Sequence, residues 1–323
     1  MDNNAQQWSK KYIPESIDDI IARDDTKKQI ECMINGTCIM NTIITGVPGI
    51  GKTMIMHFIA KKILGKNYRN RSLTLIGSDD RGIKTISDTI VNFCKKKVDD
   101  SYKNIDVKLV LIDEADNMTQ KAQYNLSVVM DKYSSSVKYI LTCNNSWKIV
   151  ESIQSKCSIM LLTRMGDNSI ASHLRSICVR ENVQCNEKGI NAILNISNGD
   201  LRSAINNLQL VYVCCEKITE KNVFKLFDMP NPHELNELIK ACVRYDLKDA
   251  LNKLLTIINK GYSETDIILG LTNMLKRAKY IEESTKIRLI LTTNETSLIL
   301  SRGIDSQLQL AGCIANMCTN NAQ

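Results

Sequence analysis

The sequence predicts an α/β fold: a P-loop core built on a parallel sheet, a small helical domain, and a wholly helical C-terminal region. Three observations carry this. Gly46-Val47-Pro48-Gly49-Ile50-Gly51-Lys52-Thr53 lies between the apolar run Thr42-Ile43-Ile44 and a helical pattern through Met54, Ile55, Phe58 and Ile59. Leu109 to Ile112 is a continuous apolar run ending in Asp113-Glu114-Ala115-Asp116, as a parallel strand buried on both faces does. From about Arg164 onward, apolar residues recur at three- and four-residue spacing.

In chain order, Trp8-Ser9-Lys10-Lys11-Tyr12-Ile13-Pro14 predicts an extended basic-aromatic segment, followed by a short helix from Asp24. This segment reads equally well as a flap that brings Tyr12 over a nucleotide or as an arm packed on the core. The eight-residue loop reads as a strand, a glycine turn and a helix start, which is the context that gives the motif meaning. Its glycines let backbone amides wrap a polyphosphate, and the helix N-terminus adds a positive dipole end. Lys52 would reach the β- and γ-phosphates and Thr53 would hold magnesium. A bare steric turn needs the glycines but not the Lys-Thr pair.

Leu73-Thr74-Leu75-Ile76 predicts a buried strand, and a helix follows with Ile86, Ile90 and Phe93 on one face and Lys95-Lys96-Lys97 at its end. Ser78 or Asp79 suits its N-cap, and the lysines complement its C-terminal dipole. Asp113 and Glu114 fall at the C-terminal edge of their strand, where open α/β sheets bind ligands. There Asp113 would share the magnesium with Thr53, and Glu114 would polarise the attacking water. Val137 to Thr142 predicts another strand, which leaves Asn144 at its tip within reach of a γ-phosphate or water. Ser155-Lys156-Cys157 then leads into a last strand, Ile159 to Leu162. In the helical part that follows, Asp200 is placed as an N-cap. Arg202 falls in the first turn, where a cation is favourable only beside an anion, so it is a candidate phosphate sensor. Pro230 and Pro232 mark a second boundary. The helical patterns beyond them carry no catalytic motif and suit an assembly surface.

At 323 residues the chain can hold two or three compact domains. A net charge of +7 suits a nucleic-acid partner. The twelve cysteines contain no Cys-x-x-Cys, and with only three histidines no zinc constellation assembles. Free thiols, most of them in the core, are expected. The polar N-terminus lacks an apolar signal region and no run approaches a membrane span, so the reading is of a soluble intracellular protein without a membrane partner.

The order of these boxes resembles the replication factor C small subunits, clamp-loader members of the AAA+ ATPases. The resemblance rests on Trp8 to Pro14, the P-loop, Ser78-Asp79-Asp80-Arg81-Gly82-Ile83, Asp113 to Asp116 and Thr142-Cys143-Asn144. It continues through Ser155-Lys156-Cys157, Gly199-Asp200-Leu201-Arg202 and Gly261 to Asp266. It implies an AAA+ P-loop ATPase core over 1–163, a helical lid domain with sensor 2 over 164–229, and a helical collar over 230–323. By this likeness Lys52 and Thr53 would bind ATP and Mg2+, with Asp113 on the metal and Glu114 as base. Asn144 would be sensor 1 and Arg202 sensor 2. Arg81 and Lys84 would face primer–template DNA inside a hetero-pentamer of clamp-loader subunits, while Ile90 and Phe93 would look toward a sliding clamp. The richness in isoleucine, asparagine and lysine resembles an AT-rich genome such as a large DNA virus, which implies a nucleus or viral replication compartment.

Three departures stand out against that pattern. Lys156 replaces the arginine finger, a point charge for a planar fork. Ser127-Val128 stand where two arginines link DNA to the ATP chemistry, and Ser152 replaces a proline. The first two bear on the trans-acting role and leave the chain's own nucleotide pocket untouched.

Overall fold

A computed structural model describes residues 7–35, 39–78, 83–96, 107–197, 199–227, 229–278, 280–304 and 306–319, with 83–87 described in backbone only. Asp79, Arg81 and Lys97, and the side chains of Lys84 and Ile86, lie outside the described residues. The chain forms two compact units, Met1–Thr219 and Glu220–Gln323.

The first unit opens with α1 (Trp8–Lys11) and α2 (Asp24–Asn35), then alternates strands with helices: β1 (Thr42–Gly46), α3 (Lys52–Leu64), α4 (Tyr68–Arg71), β2 (Ser72–Ile76), α5 (Ile83–Lys95), β3 (Lys108–Asp113), α6 (Gln120–Lys132), β4 (Val137–Cys143), α7 (Glu151–Gln154) and β5 (Ser158–Leu162). The five strands are parallel in the order β2-β3-β4-β1-β5. Successive residues of a strand face opposite sides, and the central strands therefore feed two cores. Ile43, Val110, Ile112, Tyr139 and Leu141 pack with Leu126 and Met130 of α6. Ile44, Leu109, Leu111 and Ile140 pack with Ile55, Ile59 and Ile63 of α3. Helices on both faces are why these strands read as unbroken apolar runs.

Two expectations need correction here. Trp8 to Lys11 is one helical turn rather than an extended segment. Trp8 is buried and stacks on Tyr212 with ring centroids 5.5 Å apart, a tertiary contact that local sequence does not display. The strand β2 lies at the sheet's edge and is only partly buried, with Ile76 exposed, because strand order is set by crossovers and not by local pattern. At the end of α5, Lys108 of β3 donates to the carbonyls of Phe93 (3.0 Å), Cys94 (2.9 Å) and Lys96. A side chain from the neighbouring strand thus caps this helix, and burial pushes the Lys108 pKa down.

The unit continues into α8 (Asp167–Arg180), β6 (Gln184–Cys185), α9 (Glu187–Ser197), α10 (Leu201–Cys215) and β7 (Lys217–Ile218). Ile170, Leu174, Ile177, Ile190, Ile193 and Leu194 are among its buried residues, at the predicted spacing. The two-residue strands β6 and β7 pair in parallel, an addition to the all-helical expectation. Asp200 does cap α10, accepting from the Ser203 amide at 2.9 Å.

The second unit holds α11 (Glu220–Leu226), α12 (Pro232–Val243), α13 (Leu247–Ile258), α14 (Glu264–Arg277), α15 (Glu283–Ser301) and α16 (Gln307–Cys318). Its core joins Leu235, Leu238 and Ile239 to Ile267, Leu271 and Ile314. Gly270 is a close packing point, since a Cβ there would lie 2.8 Å from Leu235 Cδ1. Along α15 the buried positions are Leu289, Thr293, Thr296 and Leu300, while Ile287, Leu291 and Leu298 are each more than half exposed. Among the described residues no helix is long and apolar enough to cross a membrane, and no cluster of His, Cys, Asp and Glu could hold a metal ion.

Candidate nucleotide-binding site

Because all strands are parallel, Gly46, Asp113 and Cys143 end at the same edge of the sheet, and the loops that follow them converge. Gly49 and Gly51 take φ of +76° and +96°, which side chains other than glycine rarely adopt. Gly49 has a second reason to be glycine. A Cβ there would lie 2.1 Å from the Asp200 carboxylate, so the N-cap of α10 packs directly on the loop.

Lys52 and Thr53 open α3. Lys52 Nζ donates to the carbonyls of Gly46 (2.8 Å) and Val47 (3.0 Å) and to Asn144 Oδ1 (2.7 Å), which ties the loop to the tip of β4. Burial pushes the Lys52 pKa down; the Asp116, Cys143 and Asp113 side chains oppose that, and the Arg202 charge adds to it. The Thr53 hydroxyl donates to Asp113, with Oδ1 at 3.0 Å and Oδ2 at 2.9 Å. A hydroxyl beside a carboxylate is the oxygen-donor set that a hard cation such as magnesium takes, and a glycine loop at a helix N-terminus suits phosphates, so these residues fit a bound Mg–nucleotide.

Glu114 follows Asp113 in the left-handed region, φ 52° and ψ 45°, a conformation that costs about 1 kcal/mol or more in a residue with a side chain. Its side chain is exposed, and Oε2 accepts from Asn117 Nδ2 at 3.0 Å. Two residues that sequence reasoning left without a role hold this arrangement. Thr142 donates its hydroxyl to Asp113 and accepts from the Glu114 amide at 3.0 Å. Asp116 accepts from the amides of Asn144 (3.2 Å) and Asn145 (3.3 Å), which fixes the exit of β4. The available signal was a polar residue at the end of an apolar strand.

Beside the P-loop lies a cavity of about 580 Å3, lined among others by Tyr12, Gly49, Thr53, Phe58, Leu201 and Arg202. The cavity therefore brings the N-terminal segment, the P-loop and the first turn of α10 together. His57, one helical turn past Thr53, also faces it. His57 Nδ1 lies 2.8 Å from the Tyr68 hydroxyl, and burial holds its pKa below the ordinary histidine value. Of the remaining candidates, Val47, Pro48 and Ile50 complete the loop. Lys156 lies elsewhere. It precedes β5, whose Ser158 pairs with Thr42, so it stands at the opposite edge of the sheet, about 16 Å along the strands from the P-loop by strand rise. Its ammonium donates to the Ser127 carbonyl (3.1 Å), the Ser127 hydroxyl (2.7 Å) and Asp131 (2.6 Å). Arg81 and the Lys84 side chain lie outside the described residues.

Three family models match the chain: the ATPase family associated with various cellular activities over 42–165, the RCF1/5-like AAA+ ATPase lid domain over 172–213, and the replication factor C C-terminal domain over 230–316. A protein of Acanthamoeba polyphaga mimivirus described as a replication factor C small subunit is 38% identical over 314 residues, covering 97% of both chains. Replication factor C subunit 4 of Saccharomyces cerevisiae is 34% identical over 311 residues, covering 96% of this chain and 95% of its own. The Thermotoga maritima RuvB Holliday junction branch migration motor shares the fold, with a TM-score of 0.54 at 16% identity, over 72% of this chain and 79% of its own. The P-loop and acidic edge thus sit in a chain matched nearly end to end by replication factor C relatives. It belongs to the replication factor C small-subunit family, and is accordingly a nucleotide-binding, ATP-hydrolysing AAA+ enzyme of DNA replication.

Proposed function

We propose that this chain is one ATPase subunit of a hetero-pentameric clamp loader, which uses ATP to open a sliding clamp and place it on primer–template DNA. The observation that carries the reading is the convergence of Lys52, Thr53, Asp113 and Asn144 at one strand edge, in a chain whose C-terminal part matches the replication factor C C-terminal domain. Residues 1–163 would be the ATPase core, 164–229 the lid, and 230–323 the collar through which subunits join. The outward apolar residues of α15, Ile287, Leu291 and Leu298, share one helix face and support the assembly role. The matched relatives are named as subunits, which supports partnership with other chains of the loader. A nucleus or a viral replication compartment fits a function in replication, and the mimivirus relative supports the latter.

Within the site, magnesium bound with ATP would supply positive charge to the β- and γ-phosphates. Thr53 and Asp113 would hold it. Lys52 would exchange the Gly46 and Val47 carbonyls for phosphate oxygens, a short move because its ammonium already lies inside the loop. Glu114, oriented by Asn117, would take the proton of the attacking water. Asn144, fixed by Lys52 and Asp116, would act as sensor 1 and orient the γ-phosphate or the water. Arg202 would sense the phosphates from α10, and Tyr12 would cover the base from the N-terminal segment.

Lys156 is too far along the strands to serve its own site, which supports action on a neighbouring subunit's nucleotide. To act there its ammonium must leave Asp131, and that competition favours a weak trans role. The same bonds favour a second reading, a nucleotide-binding scaffold subunit with weak hydrolysis. Another AAA+ DNA machine, a helicase loader or branch-migration motor, is the remaining alternative; the RuvB likeness concerns fold alone, and the C-terminal match stands against it. Arg81 and Lys84 would touch DNA phosphates.

The test is co-purification with partner subunits, followed by ATP turnover with and without clamp and primed DNA. Stimulation by both together is expected. Turnover that ignores clamp and DNA in an assembled complex would overturn the clamp-loader reading.

A further inference from the structure

The N-terminal wall of the cavity is fastened to the lid. The Tyr12 hydroxyl donates to Glu181, the residue that ends α8, and Lys11 Nζ donates to the same carboxylate oxygen at 2.7 Å. Two cations flank the Tyr12 ring, Lys11 at 5.7 Å and the Arg180 guanidinium at 5.8 Å from its centroid. One turn earlier, Trp8 stacks on Tyr212, and its amide donates to Gln209 Oε1 at 2.9 Å. All these anchoring partners outside the segment belong to α8, its end, or α10. Tyr12 itself lines the cavity, as do Leu201 and Arg202 of α10.

We infer that Glu181 is a positioning residue for nucleotide binding: by accepting from Tyr12 and Lys11 it holds Tyr12 at the cavity wall and makes the N-terminal segment and lid close as one clamp. This rests on the cavity being the nucleotide site. Glu181 is suited to the role because its side chain is only 14% exposed, so its charge-assisted bonds are screened less than a surface pair. Burial and the Glu181 bond push the Tyr12 hydroxyl up to about 12, which keeps it a donor at every working pH. The same lysine and tyrosine bonds hold the Glu181 carboxyl below its ordinary value, against the upward push of burial, the largest single effect. With the link cut, Tyr12 samples positions away from the wall. Only the fraction of molecules with the wall in place then binds at full affinity.

Titration of the full chain with ADP tests this. Glu181→Gln removes the charge and keeps the shape, and is expected to raise the ADP Kd about tenfold, the size of one charge-assisted bond. Tyr12→Phe should do the same through the other end of the link, and the double variant should be no weaker than the weaker single one. The chain's two tryptophans, Trp8 and Trp147, supply a second readout. With Trp147→Phe, ADP should change the emission of Trp8, and adding Glu181→Gln should move the midpoint of that response to about tenfold higher ADP. An unchanged Kd in Glu181→Gln, effects that add in the double variant, or a Trp8 response whose midpoint does not move in Glu181→Gln would overturn the inference. If wild type binds ADP no better than Lys52→Ala, the nucleotide assignment itself fails and the inference falls with it.

Discussion

The two units distribute polarity in opposite ways. In the first, apolar side chains fill both faces of the sheet and polar ones gather at a single strand edge, where Lys52 meets Asn144 and Thr53 meets Asp113. In the second, the inner face of α15 takes in Thr293 and Thr296, while Ile287, Leu291 and Leu298 face outward. Single exposed apolar residues are ordinary on protein surfaces. Three on one face of a helix whose inner face includes threonines are a different matter, and they fit a helix meant to be covered on both sides. The contrast supports the proposal that one unit carries the chemistry and the other the assembly.

That division is breakable. Lys52→Ala removes charge-assisted bonds worth about 1.5–3 kcal/mol each, so the ATP affinity of the isolated chain should fall by about a hundredfold or more, read by calorimetry. Assembly should persist. The converse variant, Leu291→Glu with Leu298→Glu, should abolish co-purification with partner subunits while ADP affinity of the isolated chain stays unchanged. Intact assembly would remove α15 from the interface.

Smaller effects sharpen the comparison within the first unit. Lys156→Ala should lower turnover at the neighbouring site by about tenfold, short of the thousandfold that loss of an arginine finger commonly brings. It should leave the chain's own ADP affinity unchanged, and Lys156→Arg should match or exceed the wild-type rate of the complex. Impaired affinity in the isolated Lys156→Ala chain would refute the trans role. Smallest of all, Arg81→Ala should flatten the salt dependence of DNA binding by about one unit of slope, alike for all sequences.

Much of the first unit was legible because its signals are local. The P-loop and Asp113-Glu114 each combine an apolar strand with residues that turns and cores do not require, and the parallel sheet brings them to one edge. What was hidden depends on pairs far apart in sequence. The helical turn at Trp8 is fixed by stacking on Tyr212, and Glu181 meets Tyr12 only after the lid has folded. The edge position of β2 follows from strand order, to which the run Leu73 to Ile76 gives no clue. Lys156 was conspicuous as a missing arginine, yet its bonds to Ser127 and Asp131 required α6 to be placed beside the turn before β5. In the second unit the helices were readable from their spacing, but their outward apolar residues look like core residues until burial is known.

The most direct measurement is single-turnover ATP hydrolysis by the assembled complex carrying Glu114→Gln. The substitution keeps the shape of the side chain and removes the base, so ATP should bind with wild-type affinity while turnover at this subunit's site falls by about two powers of ten or more. Unchanged turnover at that site would contradict the assignment of chemistry to the Asp113-Glu114 edge.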